Sequence, residues 1–328
     1  MADRFNIVHR DAVLMVALRH QVGISVIELM IAIALGIGLT IGAAALFISC
    51  RTSYLLHDDS IRLQDNARFA IDVIGRAIAQ GSFADAALLA DTTFNAIQGV
   101  DNRTLKSTSP AMQVLVAKAI NGSDVLAIHF AGSGDGPNGD GTVTNCAGFG
   151  VGAAGTADRA VDHGWSIFYV ALDQTGEPEL YCKYRGQHAW ATVAIARGVE
   201  SFQVLYGVSD RGDAAPTRFV SASQIDRMDG AALASIDMSA SQPVASSSTS
   251  IWKKITQVKI ALLLRGAVPL QAGASRQNIM LFGDGYLPGV SDPGVRFDEA
   301  AAPPTVRNRL RKLFRASFRF HQTAPEPS

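Results

Sequence analysis

Three groups of residues in this chain have types and spacings that could do chemistry. The first is Gly23-Ile24-Ser25-Val26-Ile27-Glu28, placed directly before a long apolar run. A carboxylate just inside an apolar helix is costly in lipid and calls for a partner. Scission between Gly23 and Ile24 would create a free ammonium at Ile24, four residues before Glu28. In a stacked helical assembly that ammonium meets the Glu28 carboxylate of a neighbour, so both buried charges are paired. A glutamate snorkelling at the interface is the plainer alternative; the glycine before it and the unbroken apolar run after it weigh against that. The second group is the cysteines, Cys50, Cys146 and Cys182. Cys50 closes the apolar run, which leaves Cys146–Cys182 as the disulfide of the C-terminal part in an oxidising compartment. Two unpaired thiols, or a fold that brings Cys50 close, are the alternatives. The third is GSGDGPNGDG, Gly132–Gly141, where Asp135, Asn138 and Asp140 offer oxygens of the kind calcium takes. Their spacing misses the EF-hand pattern and the closing glutamate is absent, so a flexible loop is expected. In SDRGDA, Asp210 and Asp213 are interrupted by Arg211, and the Arg211-Gly212-Asp213 tripeptide is too short to carry an adhesion argument.

Nothing in the chain assembles an enzyme. His129, His163 and His188 lack metal-ligand spacing, and no HExxH, G-x-S-x-G elbow or phosphate loop is present. Neither metal nor cofactor is expected. The 29 basic and 29 acidic residues cancel, so no global field points to nucleic acid as a partner. Charged residues make up only 18% of the 328, low for a freely soluble protein.

These residues need elements to position them. Leu29–Ser49 carries no charge and is long enough for a helix to cross a hydrocarbon core of ~30 Å. Arg4, Arg10 and Arg19 precede it, which places the N-terminus in the cytoplasm and the large C-terminal part outside. Gly36, Gly38 and Gly42 permit close helix packing. Beyond Arg51 the pattern stays helical: Leu63, Ala67, Ala70, Ile74, Ala77 and Ile78 recur at three-four spacing, Phe69 and Val73 widen the stripe, and Asp72–Arg76 is an i,i+4 pair. Gly81 ends the pattern. Strands are expected over Asp124–Phe130, Trp165–Leu172, Ser201–Val208 and Ile255–Arg265, with long loops at 131–157 and 233–250. In the tail, Leu310, Leu313, Phe314 and Phe318 should pack inward while the arginines at 307, 309, 311, 315 and 319 are solvated. The predicted fold is α+β, a long N-terminal helix with a membrane-spanning first half, packed on a mostly antiparallel head. The expected segments are 1–23, a leader; 24–50, the membrane and core helix; 51–81, its amphipathic continuation; and 82–328, the head.

Gly23 to Glu28 with its apolar run resembles the type IV prepilin signature. The resemblance implies cleavage after Gly23 by prepilin peptidase, N-methylation of Ile24 and a role for Glu28 in subunit docking. Ile24 stands where phenylalanine or methionine is commoner, and a start at Met15 would give the shorter basic leader usual for the class. Further along, LQDNARFAIDVI, GSDVLAIHFAG followed by Cys146, PELYCKY, ARGVESFQVLYGVSDRGD with RFVSASQI, WKKITQVKIALLLR and VRNRLRKLFRASF resemble, in order, the PilW-type minor pilins. That resemblance implies a pilin-like fold and a minor subunit that primes filament assembly. Its implied partners are other minor pilins, the major pilin, prepilin peptidase/N-methyltransferase, the inner-membrane assembly machinery and the bilayer. A minor pseudopilin of a type II secretion system and a pilus-associated adhesin are the rival readings.

Overall fold

A computed structural model describes residues 23–82, 95–107, 109, 112, 118–153, 164–187, 189–209, 215–234, 250–270, 277–283, 286 and 292–320. Met15, His163, His188 and the stretch 210–213 lie outside the described residues. One helix, α1, runs from Val26 to Gly81 without interruption. It contains no proline, and its glycines cost helix propensity without breaking the hydrogen-bond ladder. Up to Tyr54, the end of the first of two compact units, its large apolar side chains are exposed on every face. That is the character of a helix meant for lipid or for other helices.

From Leu55 onward, in the second unit, α1 is amphipathic. Asp59, Leu63, Ala67, Ala70, Val73, Ile74, Ala77 and Ile78 are buried, on one arc of the helix. Phe69, expected to widen that stripe, is 54% exposed instead. At 3.6 residues per turn it sits about 100° from Ala70, beyond the edge of the buried arc. Asp58–Arg62 and Asp72–Arg76 pair along the solvated face at 2.9 and 2.7 Å. Such exposed pairs add about 0.3–0.5 kcal/mol each.

Two antiparallel sheets supply the rest of the core. The first orders its strands β1 (Ile97–Val100), β2 (Val125–Phe130), β3 (Gly164–Leu172), β4 (Pro178–Arg185) and β5 (Trp190–Arg197). The second runs β11-β8-β6-β7, where β6 is Val199–Val208, β7 Arg218–Val220, β8 Ile255–Pro269 and β11 Arg309–Arg319. A small pair, β9 (Asn278–Met280) and β10 (Arg296–Asp298), forms a sheet of its own that packs on the second. A second helix, α2 (Ala222–Ala234), follows β7; its last residues overlap the span expected to be loop. Strand periodicity sorts the second sheet: Phe202, Val204, Tyr206, Val258, Ile260, Leu262 and Leu264 join the buried side of α1 in one core with Phe314 and Phe318 against it.

Two glycines are fixed by close approach. The chain crosses from β5 to β6 at Gly198, with φ of 75°; its amide donates to the Pro178 carbonyl at 2.8 Å and its carbonyl accepts from Arg265. Gly266 lies under the buried Asp59 carboxylate, which accepts the Ala267 and Val268 amides at 3.1 and 3.2 Å. A side chain at Gly266 would collide with Asp59. Cys146 and Cys182 are joined in a disulfide, Cα–Cα 6.4 Å, tying the loop after β2 to β4. Cys50 is a free, exposed thiol on α1.

Candidate functional site

The Gly23–Ile24 bond lies just outside α1 in non-helical, exposed backbone. The helix begins through a reciprocal cap. The Ser25 hydroxyl accepts the Glu28 amide at 3.2 Å, and the Glu28 carboxylate accepts the Ser25 amide at 3.0 Å. Ser25 O then accepts the first helical bond, from the Leu29 amide. This is a Ser-x-x-Glu capping box, which satisfies donors that a helix start otherwise leaves open. The carboxylate also suits the positive end of the helix dipole. Scission after Gly23 removes none of the atoms in this cap. Ile24, Ser25 and Glu28 are all exposed, so the segment is open to an enzyme or to a neighbouring chain.

The head holds a charged network with no local sequence signal. Arg311, expected to be solvated, is buried on β11. Its guanidinium donates to Glu200 at 2.6 and 3.2 Å, to Glu299 at 2.6 Å and to the Val306 carbonyl at 2.7 Å, and lies over the Phe297 ring. Arg265 pairs with the same Glu200 at 2.9 Å and with Glu177. The reason is strand alternation: even positions of β11 face the core shared with α1, and odd ones face the lobe of Leu281 and Phe297, so Arg311 enters that lobe's base. Burial pushes the Glu299 carboxyl up, but the Gln277 and Asn308 amides and Arg311 outweigh it and hold it below the usual range.

A second buried group is acidic. Asp124 accepts the Asn102 and Val204 amides at 3.1 and 2.9 Å, and Asp101 accepts the Ala222 and Ser223 amides that open α2. Burial, then Asp292 and Asp101, pushes Asp124 well up. Asp292 is raised to about 7 by burial and then by Asp101. The loop around Asp140 satisfies itself. Its carboxylate accepts from the Thr142 hydroxyl and amide and the Ser133 hydroxyl, which hold it below the usual range. Among the described residues no three metal-ligating side chains gather. His129 stacks on Trp165, ring centroids 3.9 Å apart.

The model of the family "PilW: Type IV Pilus-assembly protein W" matches residues 167–321. That stretch, just under half of the chain, is similar to the PilW family. It contains the whole Glu200–Arg311–Glu299–Arg265 network and one cysteine of the disulfide. The long apolar helix followed by antiparallel sheets is the α+β arrangement expected from the sequence. Among solved structures, the type IV-like pilin TTHA1219 from Thermus thermophilus is similar at 12% identity, covering 80% of this chain and 98% of that one, with a TM-score of 0.34. No curated protein matches the chain.

Proposed function

We propose that this PilW-type chain is a minor pilin that takes part in priming and assembling type IV pili. It acts as a structural subunit and not as an enzyme. Prepilin peptidase cuts between Gly23 and Ile24, and the new Ile24 amine is methylated. Helix α1 holds the protein in the inner membrane, N-terminus cytoplasmic and head periplasmic, until the subunit passes into the pilus. Glu28 then pairs with the N-terminal ammonium of a neighbouring minor or major pilin. The observation that carries this reading is the capped start of α1: an exposed Gly23–Ile24 bond, a carboxylate at the third helical position, and an apolar helix with every face open directly after it.

N-terminal mass spectrometry of the membrane-extracted chain tests the processing step; the expected mature protein begins at methylated Ile24. Glu28→Ala should leave cleavage intact and reduce piliation. Normal pili in that strain would sink the docking role. Intact pili with lost protein secretion in a deletion strain would move the chain to a type II secretion pseudopilus.

A further inference from the structure

The outer face of the second sheet is covered over only part of its length. At one end Ala261 and Leu263 are buried beneath Leu281 and Phe297, with the half-buried Leu313 beside them. At the other, the row Ser317–Lys259–Leu205, aligned across β11, β8 and β6, floors a cavity of about 440 Å³. Phe219 stands at one end, Arg315 at the other, and Phe282 and Tyr286, ring centroids 5.7 Å apart, form the wall. That volume is within the range of small-ligand pockets.

Among the described residues, the charged groups that line it are of one sign. Lys259 Nζ lies 3.6 Å from the centroid of the Phe219 ring. Arg315 is held by the Leu281 and Met280 carbonyls, which leaves Nη1 uncommitted. Among the described residues neither cation has a carboxylate partner, and no acidic residue lines the cavity. Ser317 Oγ accepts from Gln257 at 2.7 Å, so its own proton is free to donate. The far side is different. The Tyr286 hydroxyl is buried and lies in the field of Asp292, Asp101 and Asp124, which keeps negative charge away from it.

We propose that this cavity binds a small amphiphilic anion. Its flat apolar body lies on Leu205 between Phe219 and the Phe282–Tyr286 wall. Its acidic group is held by Lys259, Arg315 and the Ser317 hydroxyl. Aromatic rings supply the apolar contact, and charge-assisted hydrogen bonds fix which end carries the charge. A neutral analogue uses only the first of these.

The test is calorimetric titration of the full-length chain in a maltoside detergent with naphthalene-2-sulfonate, 2-naphthol and inorganic sulfate. Saturable one-to-one binding of naphthalene-2-sulfonate is expected, weakened about tenfold or more by Lys259→Gln and by Arg315→Gln. Binding of 2-naphthol should be unchanged in both variants and lost in Phe219→Ala, and sulfate alone should not bind measurably. Arg315 is exposed, so its replacement tests the charge without touching the core. No saturable binding by the wild type, or equal naphthalene-2-sulfonate affinity in both charge variants, overturns the proposal. Neither result bears on processing at Gly23 or on piliation.

Discussion

Replacing Arg311 with methionine is the sharpest perturbation of the head. The side chain is 0% exposed, and its partners Glu200 and Glu299 are each 3% exposed. Methionine fills most of the volume but donates nothing. Glu200 would keep one bond to Arg265, and Glu299 would keep the Gln277 and Asn308 amides. Glu299 would then be a buried carboxylate with no cation, and Glu200 would depend on Arg265 alone. Removing one partner of such a network costs about 3–5 kcal/mol, because a charge stays buried without compensation. For a head of this size that corresponds to a fall in Tm of roughly 6–20 °C. Thermal unfolding of the full-length chain in detergent, followed by circular dichroism, measures it. Arg319→Met, exposed at the end of β11, is the control and should change stability by less than about 0.5 kcal/mol. Adding Glu299→Gln to Arg311→Met should recover part of the loss, since Glu299 is the carboxylate left buried without a cation. A loss no larger than the control's, or no recovery in the double variant, would refute the argument that the network holds β11 to β6 and β8.

Three further outcomes follow from the packing of the head. Asp292 is raised to about 7 in the folded head against about 3.9 unfolded. Its contribution to stability is therefore present below pH ~4 and lost as pH rises through about 7, at most ~4 kcal/mol. Asp292→Asn should flatten the pH profile and stabilise the head at pH 8, and an unchanged slope in urea denaturation would contradict this. Gly266→Ala should cost about 1–3 kcal/mol by displacing Asp59 from the Ala267 and Val268 amides, seen as a lower urea midpoint. Opening the Cys146–Cys182 bridge, which spans 36 residues, should cost about 2–4 kcal/mol, measured by unfolding with and without reductant.

How much of this was legible in the sequence depends on how local each signal is. The α1 stripe repeats every three or four residues, so its buried side from Leu63 to Ile78 can be read directly. The four expected strands were found within a few residues, because β-branched and aromatic runs bounded by turn residues are also local. β5 and α2 were missed. WATVAIAR is alanine-rich and lacks a clean alternation. The start of α2 is satisfied by Asp101, more than a hundred residues earlier. The tail misled for a related reason. Its apolar residues mark an amphipathic segment, but whether an arginine between them is solvated depends on what covers the other face. Arg311 meets a glutamate 111 positions away, and no window of sequence contains both. At the N-terminus the reverse held: Ser25 and Glu28 are three apart, and their cap is written in adjacent letters.

That cap commits only half of the Glu28 carboxylate. The Ser25 amide bonds Oε2, and Oε1 keeps its full accepting capacity. If Glu28 meets a neighbour's ammonium as proposed, Oε1 can receive it while the cap holds the carboxylate in place. The first turn of the helix would then stay intact through docking, so a subunit could seat or withdraw without refolding its end.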